Sequence, residues 1–195
     1  RPGEDSVKHP VFADIAYYSG LSSTDWSWAP LVADFDNDGF RDVIITNGFP
    51  RDVTDHDFIA YRTNTKNYAP KEMLLEQIPA VKLRNYAFRN NGDLTFANVS
   101  EDWGIEMPTF SNGAAYADLD NDGDLDYIVN NINDSAHVYR NNLNIDNVGI
   151  ANYIRIRLKN DKGNREAFGA FVEIEYGDGK RQVSEQTPYR GYLST

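Results

Sequence analysis

The 195-residue chain contains no cysteine. That excludes a disulfide framework and thiolate zinc sites, though not an extracellular setting. No long apolar run occurs, so no transmembrane helix and no membrane insertion are expected. Basic residues are outnumbered: 19 Lys and Arg face 30 Asp and Glu, giving a net charge of −11. A surface of that sign repels phosphate backbones and carries no basic stripe, so nucleic acid is not an expected partner. Histidine is scarce. His9, His56 and His137 sit in unrelated contexts, and no Ser-His-Asp or Cys-His constellation can be built around them. His56 lies beside Asp55 and Asp57, a grouping with metal-binding or catalytic composition, whereas His137 falls on a strand position. The expectation is a non-enzymatic protein. With 41% hydrophobic residues and 13% aromatics, the chain reads as folded and not as an acidic disordered segment.

What is present is a repeated acidic string. Asp34-Phe35-Asp36-Asn37-Asp38-Gly39-Phe40-Arg41-Asp42 returns as Asp118-Leu119-Asp120-Asn121-Asp122-Gly123-Asp124-Leu125-Asp126. Carboxylates at positions 1, 3, 5 and 9 can converge on one hard cation, and calcium takes six to eight oxygens. The first candidate set is Asp34, Asp36, Asp38 and Asp42, with the Phe40 carbonyl at position 7. The second is Asp118, Asp120, Asp122 and Asp126, with the Asp124 carbonyl. Glycine at position 6 suits a sharp turn where a Cβ is costly. An EF-hand needs Glu at position 12 and flanking helices, yet position 12 is Ile45 or Val129. The flanks, such as Asp42-Val43-Ile44-Ile45-Thr46 and Asp126-Tyr127-Ile128-Val129-Asn130, are β-branched and aromatic, so each loop is predicted to join two strands. An ion-free polar turn is the plainer alternative, since Asn, Asp and Gly favour turns. Packing so many carboxylates together without a counter-cation is repulsive, which favours two bound Ca2+ ions.

The repeat extends beyond the loop. A shift of 84 residues places Phe12-Ala13-Asp14-Ile15 on Phe96-Ala97-Asn98-Val99, and Gly20-Leu21 on Gly104-Ile105. At a different offset, Tyr86-Ala87-Phe88-Arg89-Asn90-Asn91 resembles His137-Val138-Tyr139-Arg140-Asn141-Asn142. The offset implies an insertion at about 50–83, in which Pro70 to Ile78 carries apolar residues at helical spacing behind a proline. Without it, one unit is three or four short strands, the size of a propeller blade. Trp26, Trp28 and Tyr17-Tyr18 precede the first loop. They read as packing between blades or as a platform for a sugar or partner protein. Toward the C-terminus, Tyr153 to Leu158 alternates and reads as a half-buried strand. Ala170 to Tyr176 is a second strand, closed by a hairpin turn at Gly177-Asp178-Gly179. That turn lacks the spacing of a phosphate loop. Arg155, Arg157, Lys159 and Arg165 read as solvated cations or as anion ligands.

A strand, the string Asp-x-Asp-Asn-Asp-Gly-x-x-Asp, and then Arg89-Asn90-Asn91-Gly92-Asp93-Leu94-Thr95-Phe96 together resemble the FG-GAP/VCBS repeat family. That resemblance covers about residues 10–142 and implies blades of a calcium-bearing β-propeller, as in the head of integrin α subunits. Tyr153-Ile154-Arg155-Ile156-Arg157-Leu158, Gly163 to Val172, and Gly191-Tyr192-Leu193-Ser194 resemble the start of an ASPIC/UnbV domain, similar to cartilage acidic protein-like bacterial surface proteins. Propellers of the family have about seven blades, so two copies imply a piece of a larger propeller.

The expected fold is therefore all-β: a partial β-propeller of two FG-GAP/VCBS-like blades with one helix-containing insertion, then a small C-terminal β module. Expected boundaries are 1–148 for the repeats and 149–195 for the module. The expected function is a calcium-binding β-repeat module of an extracellular or cell-surface protein, or a periplasmic one. It would mediate adhesion or binding of a protein or glycan ligand with structural calcium. The alternative is a glycan-binding or carbohydrate-active enzyme component.

Overall fold

The computed structural model describes residues 12–146, 152–161, 163–177 and 179–189. It is built mostly from antiparallel strands. The first sheet has the order β1 (Ser27–Ala33), β2 (Asp42–Asn47), β3 (Tyr86–Asn90) and β4 (Phe96–Asn98). The second has the order β5 (Ser111–Ala117), β6 (Asp126–Asn131) and β7 (His137–Tyr139). Both are open meanders, as expected of two blades.

The repeat holds in the register. Leu31 faces Ile44 and Ala33 faces Asp42; Ala115 faces Ile128 and Ala117 faces Asp126. Each hairpin slips at the same place, between Ser27 and Pro30 and between Ser111 and Ala114. A proline cannot donate to a ladder, and a bulge on an edge strand is where one is tolerated. Thr46 fills the first irregularity by accepting the Ala29 N–H at 2.9 Å on its hydroxyl.

One apolar core joins the two sheets. Ala29, Leu31, Ile44, Ala87, Ala114, Tyr127 and Val129 are buried together, with β1 packed against β5. β5 reads Ser-Asn-Gly-Ala-Ala-Tyr-Ala, a poor strand by propensity. Its small side chains let it approach β1 closely, so packing overrides propensity. At the far end of this contact Thr46, Asn85, Thr109, Ser111 and Asn131 are all buried. They are tied by short hydrogen bonds such as Ser111 Oγ to Asn131 Oδ1 at 2.8 Å.

Beyond the short helix α1 (Ala16–Ser19), the insertion is helical. The predicted helix appears as α3 (Lys71–Glu76) with Pro70 at its N-cap. A second helix, α2 (His56–Thr65), was not evident from periodicity, since Phe58 is its one buried residue. Asp55 caps it by accepting the Phe58 N–H at 2.7 Å. The Asp55-His56-Asp57 grouping is thus a helix start. His137, in β7, stands edge-on to Tyr139.

The C-terminal module contains the predicted hairpin, β8 (Phe171–Tyr176) against β9 (Lys180–Glu185). The half-buried strand expected at Tyr153 to Leu158 is not formed. Those residues join no ladder, and Tyr153 to Arg157 are exposed. Alternation alone does not make a strand without a sheet edge to pair with. His9 and the Gly191-Tyr192-Leu193-Ser194 string lie outside the described residues.

Candidate metal centres

Each acidic string forms the turn between paired strands: the first joins β1 to β2, and the second joins β5 to β6. Their backbones match. Positions 4 and 6 are left-handed in both, with φ of 56° and 97° at Asn37 and Gly39, and 65° and 94° at Asn121 and Gly123. Asparagine and glycine are the residues that tolerate this region, which accounts for the shared Asn-Asp-Gly. The position-6 glycines have a second reason. A Cβ on Gly39 would lie 2.7 Å from the Tyr176 hydroxyl, and one on Gly123 would run into the Tyr153 ring. The C-terminal module therefore rests on both loops.

In the first loop, carboxylate oxygens of Asp34, Asp36 and Asp42 lie within 4.8 Å of one another. In the second, those of Asp118, Asp120 and Asp122 do. Asp38 is outside the first trio and exposed, accepting the Phe40 N–H at 2.7 Å. Phe40 and Asp124 hold position 7. Phe40 is 48% exposed and its ring covers Gly92, while the Asp124 side chain is buried.

Position 9 has a role that the string alone did not reveal. Asp42 accepts the Phe35 N–H on Oδ2 and the Asn90 N–H on Oδ1, each at 2.9 Å. Asp126 does the same with Leu119 at 2.8 Å and Asn141 at 2.9 Å. The first Asn of each Arg-Asn-Asn returns the contact, its side-chain amide donating to the carbonyl of Arg41 or Leu125 at position 8. The two recurring motifs are thus halves of one clamp between the loop and the strand beyond it. Both sequences were visible; their contact is non-local and was not.

The electrostatics differ between the loops. Burial, together with Asp38 and Asp36, pushes the Asp34 carboxyl up to about 6, against the N–H groups of Gly39 and Asp38. Burial also pushes Asp42 up to about 7 and raises Asp36. In the second loop burial, with the neighbouring Asp122 and Asp126, lifts Asp124 to about 6. Asp118 instead receives the Arg155 guanidinium, which also donates to Asn121 Oδ1 at 2.9 Å. Asp118 Oδ1, Asp122 Oδ2 and Asp124 Oδ1 are buried without a hydrogen-bond partner. An unsatisfied buried acceptor costs about 1–3 kcal/mol, more when charged. Both donor sets are oxygen-only and carboxylate-rich, which fits a hard divalent cation, and the orphaned oxygens of the second loop add to that fit.

Several candidates from the sequence fall elsewhere. Trp26 stacks on Phe49 at 5.3 Å, and Trp28 donates its indole N–H to the Gly48 carbonyl at 2.9 Å. Tyr17 and Tyr18 are exposed. Arg157, Lys159 and Arg165 share a shallow depression with Asp161 and Glu166.

The fold and loops define an all-β repeat protein made of open antiparallel blades joined by acidic strand-to-strand turns. Residues 80–129 match the model of the FG-GAP-like repeat, and residues 160–195 match that of ASPIC and UnbV. The chain thus carries an FG-GAP-like repeat followed by an ASPIC/UnbV region. The first match takes in the whole second loop. No curated protein matches the chain. No described helix is long and apolar enough to cross a membrane.

Proposed function

We propose that the chain is a non-enzymatic, calcium-binding β-repeat module of an extracellular or cell-surface protein, with the ion in a structural role and adhesion or ligand binding as its task. The observation that carries this reading is the pair of carboxylate trios, from positions 1, 3 and 9 of the first loop and positions 1, 3 and 5 of the second, each in a strand-to-strand turn. Asp34, Asp36 and Asp42 would hold one ion, and Asp118, Asp120 and Asp122 the other, with Asp124 supplying a further oxygen. When bound, calcium neutralises carboxylates that burial otherwise leaves repelling one another. Asp42 and Asp126 then transmit the loop geometry to β3 and to the end of β7 through the hydrogen bonds they accept from Asn90 and Asn141. Loops of this modest design suit extracellular calcium, where millimolar-affinity modules are filled.

Thermal melting in millimolar calcium and in excess EGTA tests the reading. Binding to the native state alone at 100 times Kd stabilises by about 2.7 kcal/mol per site. A raised midpoint is expected; an unchanged one overturns the proposal.

A second reading, glycan binding, rests on a cavity of about 390 Å3 between the sheets. Trp103, Tyr127 and Tyr139 line it with Asp102, and the Tyr127 hydroxyl is buried without a partner. Aromatic faces with a few polar groups are what sugar rings pack against. Glycan-array binding that disappears in Trp103→Ala, with calcium binding intact, would favour it; an array without hits would end it.

A further inference from the structure

The C-terminal module meets the two loops through different chemistry. At the first loop its contacts avoid the carboxylates. The Arg41 guanidinium donates to the Val183 carbonyl of β9. The Tyr176 hydroxyl and the Gln182 amide of the hairpin lie over Gly39. Asp34 is meanwhile turned onto the N–H groups of Asp38 and Gly39. At the second loop the contact is made on a carboxylate itself. Arg155 donates to Asp118 Oδ2 and, at 2.9 Å, to Asn121 Oδ1. The Tyr153 ring lies against Gly123 beside it.

Residues 152–158 have little else to hold them on that loop. They join no ladder, and Tyr153, Ile154 and Ile156 are exposed. Among the described residues, Arg155 supplies their hydrogen bonds to the loop. The hairpin, by contrast, is paired along its length, from Phe171 with Glu185 to Tyr176 with Lys180. Nor does Arg155 satisfy the charge it faces. It takes Asp118 Oδ2 and leaves Asp118 Oδ1, Asp122 Oδ2 and Asp124 Oδ1 buried without partners. Arg140, at 3.5 Å from Asp120, is a second guanidinium on the same loop. Both stand at the rim of a string that carries five aspartates.

We propose that Arg155 is a tethered counter-ion that latches residues 152–158 to the second loop while the loop is metal-free, and that a divalent cation entering the loop loosens the latch and leaves the β8–β9 hairpin seated on the first loop. The inference rests on the calcium-binding reading of the loops. A dication on the inward oxygens neutralises the charge that draws the guanidinium in, and it repels the guanidinium at close range. The coupling is reciprocal: the factor by which Arg155 weakens calcium is the factor by which calcium weakens the Arg155 contact. Arg155 is exposed, and exposed pairs are weak, so that factor is about 1.5- to 5-fold. The first loop carries no such coupling, because its contacts to the module run through Arg41 and Gly39 and not through a carboxylate. Calcium therefore frees one end of the module and leaves the other in place.

The absence of native cysteine lets pairs of spin labels be placed at will. Val138→Cys with Ile156→Cys reports on the latched segment, and Val32→Cys with Phe171→Cys reports on the hairpin; all four positions are exposed. Label-to-label distances are measured by electron–electron resonance in EGTA and in saturating calcium, with saturation established by calorimetry on the same labelled chains. In the first pair, calcium should raise the ratio of the broad, displaced distances to the latched distance by about 1.5- to 5-fold. The second pair should not change. Adding Arg155→Gln to the first pair should give the displaced distribution already in EGTA, with no further response to calcium. Calcium binding with an unchanged first pair overturns the latch and leaves the calcium reading standing. An equal response in the Arg155→Gln chain overturns the latch as well, as does a second pair that moves with the first. No calcium binding at all overturns both.

Discussion

Phe35 and Leu119 hold the second position of the two loops. Phe35 is 5% exposed, standing edge-on to Trp103 at 6.2 Å and Tyr116 at 5.8 Å. Leu119 is 53% exposed. The same turn is therefore a core element in the first repeat and a surface element in the second, because the second sheet covers the first and no described sheet covers the second. The acidic side chains follow suit. Asp34 folds its carboxylate back onto the loop's own N–H groups, at 3.1 Å to Asp38 and 3.0 Å to Gly39. Asp118 is drawn to Arg155 of the C-terminal module. A repeat of sequence and backbone fixes the turn, while the neighbour decides how the turn is stabilised.

The largest expected effect separates the two core positions. Phe35→Ala should cost about 3–5 kcal/mol in chemical denaturation, the usual range for deleting a buried aromatic. Leu119→Ala should stay within about 0.5 kcal/mol, as for most surface positions. Equal costs would dissolve the contrast.

Next come the carboxylates. Asp34→Asn with Asp36→Asn should remove one of two calcium-binding events in calorimetry, and Asp118→Asn with Asp120→Asn the other. Loss of both events from either double variant would mean that the loops are coupled and not separate sites.

Arg155→Gln sharpens the comparison at smaller scale. Removing a guanidinium from Asp118 should tighten calcium binding at the second site and leave the first unchanged. An exposed ion pair is worth about 0.2–1 kcal/mol, so the gain should be about 1.5- to 5-fold in Kd. Weaker binding would show that Arg155 orders the loop and does not compete for it.

A further effect is in pH. Asp34, Asp42 and Asp124 titrate near 6, 7 and 6 when folded and metal-free, against an ordinary 3.8. A raised folded value favours the native state fully below the unfolded value, and that advantage is lost as pH rises through 6 to 7. In EGTA the melting temperature should fall between pH 5 and pH 8. With calcium present the trend should flatten or reverse, because the ion needs ionised carboxylates.

Much of this was legible in the sequence. The loops, their flanking strands and the β8–β9 hairpin follow from local chemistry: left-handed Asn and Gly, β-branched runs and a Gly-rich turn. What was not legible depended on partners far along the chain. Asp42 reaches Asn90, and Asp118 reaches Arg155, across distances that no motif encodes. α2 escaped notice because it buries Phe58 alone, so it has no apolar stripe to read. The segment from Tyr153 to Leu158 misled in the opposite way, since its alternation is real but no strand pairs with it.

Anomalous scattering from crystals grown in millimolar calcium addresses the metal centres most directly. Two peaks are predicted, one within ligand distance of Asp34, Asp36 and Asp42, the other of Asp118, Asp120 and Asp122. Ordered water at both positions, with no anomalous signal, would contradict the account.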